Sequence, residues 1–273
     1  MRAVEGQVYN TLVVDHYGVD HIWQDTMRPA YRQLMVIDDI ADRTHHCDLL
    51  LDQNLVANQD TRYAGKVPTD CRTLLGPKFA LLQPQYGEQR AFAKPRLGRP
   101  TSVLVYFGGA DLANLTGQVV RSLVRYSDVA SHVVISRNSA HFEGIYEIAQ
   151  AHDHIELHSD LPSLAPLMVV CDLGIGAGGT TSWERCCLGL PSLVVTLAAN
   201  QDPLTAELHR QGYVRWLGPH DGVTQDQLIA AIHTVLTEPL DPPWSRKCMQ
   251  LVDGKGAMRV AKILMERASA VRA

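Results

Sequence analysis

The run Gly174-Ile175-Gly176-Ala177-Gly178-Gly179-Thr180-Thr181-Ser182-Trp183-Glu184 holds the densest chemistry in this sequence. Glycines let a backbone approach a ligand closely, and a helix opening behind them presents N–H groups and a positive dipole end to a phosphate. The apolar run at 169–173 precedes it, and Thr180 or Thr181 fits the N-cap of that helix. No Gly-Lys-Ser/Thr follows, which excludes a Walker A loop, and the place deep in the second half excludes the GxGxxG of an opening βαβ unit. Tight strand-to-helix packing explains the same glycines equally simply. Glu184, one helical turn on, offers a carboxylate able to accept two hydrogen bonds from a vicinal diol such as a ribose. A first-turn Glu also complements the dipole, so both roles stand.

Two further segments have the same strand-to-helix position. Phe107-Gly108-Gly109-Ala110-Asp111 ends one apolar run ahead of a helix with Asn114 near its start, a place that suits a binding loop or simply a tight turn. In Leu197-Ala198-Ala199-Asn200-Gln201-Asp202, the two amides can hydrogen-bond a sugar or a pyrophosphate. Asp202 followed by Pro203 reads as an N-cap and an N1 proline. Of the 12 histidines, His45-His46-Cys47-Asp48 and His152-Asp153-His154 with His158 form the only clusters. Neither has the HExxH spacing of one helical face, and adjacent strand residues point apart, so no metal site is expected. There is no GxSxG elbow and no cysteine in a nucleophile context. His16, between Asp15 and Tyr17 at a strand end, is a candidate acid–base group, with a structural role as the alternative.

These residues need strand ends to hold them. Short apolar runs at 12–14, 34–37 and 48–51, each closed by polar residues, suit parallel strands facing a crevice. The stretch 19–33 suits a crossover helix that Pro29 interrupts. Pro84, Gly87, Pro95, Gly98 and Pro100 mark 84–100 as a linker. Beyond it, strands at 102–107, 132–136, 154–157, 169–173 and 192–197 alternate with helices near 114–126, 141–151, 180–188, 202–211 and 224–237. That rhythm predicts a doubly wound parallel α/β sheet over 101–242, with two closing helices in 243–273. The first lobe, 1–83, offers about three strands, fewer than the ~5–6 typical of a sheet.

Composition bounds the function. The chain is 46% hydrophobic and 20% charged, which excludes disorder. Lys+Arg 25 against Asp+Glu 29 gives a net charge of −4, the wrong sign for coating nucleic acid. No apolar run approaches the ~18 residues of a membrane span, and the opening MRAVEGQVYN lacks a leader-like apolar stretch. Six cysteines without CxxC spacing, Cys186 and Cys187 among them as small buried hydrophobes, point to reduced thiols and the cytoplasm.

Six segments, VVDHYGVD, VIDDIADRTHHCDLLLDQN, LLGPKFALLQP, VYFGGAD, GAGGTTSWERCCLGLPSLVV and LAANQ, resemble in this order the nucleotide-sugar hydrolases of pseudaminic acid biosynthesis. That family is related to the glycosyltransferase that makes lipid II, and the resemblance runs from about Thr11 to the carboxyl terminus. It implies a GT-B-like fold, two Rossmann-like lobes with a UDP-linked diacetamido-trideoxy sugar in the cleft between them. It also implies water attacking the anomeric carbon, no cofactor, and a monomer. Gly178, Gly179 and Thr180 would hold the diphosphate, Glu184 the ribose or an adjoining hydroxyl, and Asn200 and Gln201 the sugar or diphosphate. Gly108, Gly109 and Asp111 would line the other rim of the second lobe, and Tyr17 would meet the sugar from the first.

The family's general base is a histidine in a Gly-x-Gly-His loop after the first strand. Ahead of Asp15 this sequence has only Gly6 and no histidine. The expectation is therefore a first lobe short of its opening βαβ portion, and a chain that binds UDP but hydrolyses slowly, with His16 as the one stand-in for the base. The alternatives are a glycosyltransferase of the same architecture and a non-catalytic UDP-sugar binder.

Overall fold

The computed structural model describes residues 7–109 and 111–270, so the readings placed on residues 1–6 and on Ala110 lie outside the described residues. The chain divides into two compact units, one reaching to Leu81 and resuming at Lys255, the other spanning Leu82–Gly254.

The first unit is a parallel sheet of β1 (Tyr9–Asp15), β2 (Tyr31–Ile37), β3 (Leu49–Asp52) and β4 (Arg72–Leu75), in that spatial order. Strand alternation sorts its core into two faces. Val14, Leu34, Val36 and Leu50 pack with Met27 of α1 (His21–Met27) and with Tyr63 on one side. Met35, Leu49, Leu51 and Leu74 pack with Val260 and Ile263 on the other. These last two belong to α10 (Gly256–Ala270), a helix that serves the first unit rather than closing the second. Gln33 Nε2 donates to the Leu264 carbonyl at 3.0 Å, and Arg267 lies 3.6 Å from Asp48. The crossover expected over 19–33 is shorter: α1 stops at Met27, Pro29 sits in a 3₁₀ turn, and β2 begins at Tyr31. β4 escapes sequence reading because it has four residues and buries only Leu74.

The second unit is a six-stranded parallel sheet of β5 (Ser102–Tyr106), β6 (Ala130–Val134), β7 (Ile155–His158), β8 (Leu173–Ala177), β9 (Ser192–Thr196) and β10 (Arg215–Pro219). Their spatial order is β10-β9-β8-β5-β6-β7. The winding reverses between β5 and β8, and a doubly wound sheet opens its ligand crevice outside the carboxyl ends of two such strands. α3 (Leu115–Leu123), α4 (Phe142–Gln150), α5 (Ala165–Val170), α6 (Thr181–Cys187), α7 (Asp202–Arg210), α8 (Gln225–Thr237) and α9 (Pro242–Leu251) accompany the strands.

Two expectations change here. Residues 84–100 do not form a bare linker. They open as α2 (Pro84–Gln89), with Pro84 in its first turn and Tyr86 buried. The buried Arg96 guanidinium donates to the carbonyls of Cys171, Met168, Val169 and Leu188. A charge that satisfies the end of α5 in this way holds the segment against the second unit. The strand expected at 169–173 is also displaced. α5 runs to Val170 and β8 begins at Leu173, so Gly174 and Gly176 lie inside a buried central strand. A Cβ on Gly174 would stand 2.9 Å from Ser192 Oγ, and one on Gly176 would strike the Tyr106 carbonyl. Close strand packing is what these two glycines serve. Among the described residues, no helix is long and apolar enough to cross a membrane.

Candidate functional site

At the switch point of the second unit lies a cavity of about 330 Å3. Gly108 and Gly109 behind β5 form one wall, and Val134, Ile135 and Ser136 at the end of β6 another. The loop after β7 contributes residues 160–164, α6 contributes Thr181 and Glu184, and Gln83 and Tyr86 enter at the start of α2. Every wall except the last is a strand end or the helix following it, which is why a parallel sheet supplies the pocket.

Glu184 is the charged group of the cavity's α6 wall. Burial raises its carboxyl above the ordinary range, while a hydrogen bond from the Tyr86 hydroxyl and the adjacent Arg185 guanidinium draw it back. Burial together with the Glu184 charge pushes both the Tyr86 and the Tyr106 phenols up, so each stays a protonated donor at neutral pH. Arg185 is fully enclosed behind the helix, donating to the Ala177 carbonyl at 2.7 Å and Ser182 Oγ at 3.1 Å, and burial lowers it to about 10.

The glycines divide by role. A Cβ on Gly108 or Gly109 would meet nothing within 4 Å, so both face open space at the cavity wall, and Gly108 also needs glycine for its φ of +86°. Gly178 is packed, its Cβ direction 2.7 Å from Thr205 Oγ1. Gly179, at φ +90°, turns the chain from β8 toward α6, and Gln201 Nε2 lies 3.7 Å from its Cβ position. Thr180 is the N-cap of α6, with no side-chain capping bond. Gln201 Oε1 accepts the Leu197 N–H at 3.0 Å, and Asn200 is exposed beside it on the 3₁₀ turn Ala199–Gln201. Gly178, Gly179, Thr180 and the two amides thus adjoin one another at the ends of β8 and β9, next to the cavity wall at Thr181.

Three expected residues stand elsewhere. Asp111 is buried, and its carboxylate accepts the Leu115 and Thr116 N–H groups at 2.9 and 2.7 Å, holding the start of α3 rather than lining the cavity. Tyr17 and His16 lie in the first unit just past β1. The exposed Tyr17 hydrogen-bonds the Asp39 carboxylate, and His16 Nδ1 accepts the Gly18 N–H at 2.9 Å. Asp202 also shifts, being the first helical residue of α7 behind an N-cap at Gln201.

Sequence reading missed Tyr86, Tyr106, Ser136 and the 160–164 wall. Tyr86 was hidden in a Pro- and Gly-rich stretch, and the wall carries no motif. Its one mark is Asp160 at φ +56°, which sequence does not reveal.

Where β2 and β3 end in the first unit, a second polar cluster is closed to solvent. The Tyr63 hydroxyl stands 3.0 Å from Asp38 Oδ2 and 3.2 Å from Asp52 Oδ2. Arg43 pairs with Asp38 at 3.0 Å and Arg62 with Asp52 at 3.1 Å. One phenolic proton cannot serve two carboxylates, and burial pushes Asp52 up to about 6.

The fold is α/β of the GT-B type. The MurG structure from Acinetobacter baumannii matches it with a TM-score of 0.61 at 12% identity, over 93% of this chain and 73% of that one. A UDP-GlcNAc 2-epimerase from Neisseria meningitidis, bound to UDP-GlcNAc, matches with 0.57 at 13%, over 94% and 76%. The glycotransferase of kitacinnamycin matches with 0.55 at 23%, over 81% of this chain and 55% of that one. At such identities the likeness is one of fold.

In sequence the chain is similar to the UDP-2,4-diacetamido-2,4,6-trideoxy-β-L-altropyranose hydrolase of Campylobacter jejuni, 24% identical over 78% of this chain and 76% of that protein. It is also similar to the spore coat polysaccharide biosynthesis protein SpsG of Bacillus subtilis, 27% identical over 76% of this chain and 62% of SpsG. No protein-family model matches.

Proposed function

We propose that this chain is a UDP-sugar hydrolase acting on a UDP-linked 2,4-diacetamido-2,4,6-trideoxy-L-altrose, as its Campylobacter relative is named to do. The observation that carries the reading is Glu184, half-enclosed at the switch point beside two protonated phenols. A ribose presents two hydroxyl donors, and a carboxylate on the first turn of a helix accepts both. The cavity volume falls within the range of small-ligand sites, with the wall at 134–136 and 160–164 left for the uracil ring. The diphosphate would run along Gly178, Gly179 and Thr180, with Gln201 and Asn200 at its side.

Hydrolysis breaks the bond between the anomeric carbon and the diphosphate oxygen, which leaves with the electron pair. A water oxygen bonds the same carbon and gives its proton to a base. The N–H groups where the β8 turn enters α6 stabilise the departing charge. His16 is the residue to test as base; with Nδ1 already accepting from Gly18, it would act through Nε2.

NMR of the products from the authentic UDP-sugar decides. Free sugar with UDP supports hydrolysis, turnover only with an added acceptor makes the chain a glycosyltransferase, and binding without turnover makes it a binder. UDP binding measured by calorimetry should persist in EDTA, because the site offers backbone N–H groups to the diphosphate. Loss of binding on chelation would overturn that part of the reading.

A further inference from the structure

Away from the Glu184 cavity, the edge of the second sheet brings together three metal-ligating side chains. His132 on β6 sits directly opposite Glu156 on β7 in the parallel register, and His158 follows Glu156 by two residues on the same strand. Alternation puts all three on one face. Leu157, on the opposite face, lines a cavity with Phe142 and Tyr146 of α4, so that helix covers the other side. His132 Nδ1 and His158 Nε2 are 3.1 Å apart. Glu156 brings one oxygen within 3.3 Å of His132 Nδ1 and the other within 3.7 Å of His158 Nε2.

Those separations can be set against a metal's own geometry. Tetrahedral zinc with bonds of about 2.0–2.1 Å places its ligand atoms about 3.3–3.4 Å from one another. The two imidazole nitrogens, and the carboxylate oxygen that faces each of them, already stand within a few tenths of an ångström of that spacing, and one ligand atom from each residue lies within 4.8 Å of the others. The imidazole side chains are mostly enclosed, at 20% and 16% exposure, while the Glu156 carboxylate reaches solvent at 64%.

We propose that His132, Glu156 and His158 form a binding site for a zinc-class divalent cation, with a fourth position open to water. Two imidazoles and one carboxylate suit Zn2+, Co2+, Ni2+ or Cu2+ and do not suit Mg2+ or Ca2+, which take oxygen shells. Each histidine ligates as the neutral ring, through Nδ1 of His132 and Nε2 of His158, and keeps its proton on the other nitrogen. The site would clamp the edge strand β7 to β6 immediately before the loop whose residues 160–164 line the cavity. It does not depend on what the cavity binds.

The test is titration of the whole chain with Zn2+ by calorimetry and with Co2+ by visible absorption. The expected result is one equivalent bound, with the ligand-field intensity of four-coordinate cobalt. His132→Gln and His158→Gln should each weaken Zn2+ binding at least tenfold, with circular dichroism confirming the fold. Glu156→Gln, on an exposed side chain that folding does not need, should also weaken it. His152→Gln with His154→Gln should change nothing. No binding by the unaltered chain, or an affinity that any of the first three variants leaves intact, would overturn the site.

Discussion

Glu184 is placed so that its loss separates binding from folding. On the proposed reading, replacing it with alanine leaves ribose hydroxyls without a charged acceptor and should cost about 1–3 kcal/mol of UDP affinity. The same carboxylate contributes only ~0.3–1 kcal/mol to its helix through the dipole. Calorimetry should therefore show UDP weakened roughly fivefold to over a hundredfold in a folded Glu184→Ala protein, and unchanged affinity would remove Glu184 from the site. Asp52 makes a prediction about stability. Its folded value of about 6 lies above the ordinary 3.8, so the neutral carboxyl is the favoured buried form. Its contribution is complete below pH 3.8 and disappears as pH rises through 6. Two pKa units correspond to about 3 kcal/mol, lost between pH 4 and pH 7. Asp52→Asn cannot ionise, so urea unfolding at the two pH values should show a smaller loss for the variant than for the parent. At this scale the strand-end positions of Glu184, Gly108 and Gly109 on the cavity wall were legible, because glycine runs and a following acid mark a strand end. Tyr86 was not, since nothing local distinguishes a buried phenol from one in a loop.

Between strands, the glycines of the two strand-end segments do unlike work, and substitution should expose the division. Gly176→Ala drives a methyl into the Tyr106 carbonyl across two central strands, where neither backbone can yield. Overpacking of this kind costs typically about 1–3 kcal/mol, and thermal unfolding should fall accordingly. Gly109→Ala meets open space, so its unfolding midpoint should hold while UDP affinity drops, the methyl occupying room lined by the cavity. A Gly109→Ala protein that binds UDP normally would show that this wall is not used. The sequence rhythm revealed the doubly wound sheet because long amphipathic helices alternate with apolar runs there. It misplaced β8 because two glycines in the strand look like a loop while the helical Val169-Val170 looks like a strand. Only the partners across the sheet, Tyr106 and Ser192, decide between them.

Across the whole chain, the division into units follows contacts that composition does not report. Prolines and glycines at 84–100 suggest flexibility, but the guanidinium of Arg96 donates to five carbonyls, one within the segment at Lys94 and four beyond it, and is almost sealed from solvent. Arg96→Ala leaves those carbonyls without donors, and limited proteolysis should then cut within 84–100 where the parent chain resists. Equal resistance would show that the segment is held by something else. The placement of α10 was equally illegible, because an amphipathic helix does not announce which of two sheets it covers.

That placement also sets an order of assembly during synthesis. A domain translated first usually folds first. Here Val260 and Ile263, which roof Met35, Leu49 and Leu51, leave the ribosome after all of Leu82–Gly254. The earlier-made sheet must therefore wait with one apolar face bare while the later-made unit completes itself. On a stalled ribosome holding residues beyond Gly254 in its tunnel, the nascent chain would carry a second unit already shaped and a first sheet still unroofed, the species that a chaperone would be called on to shield.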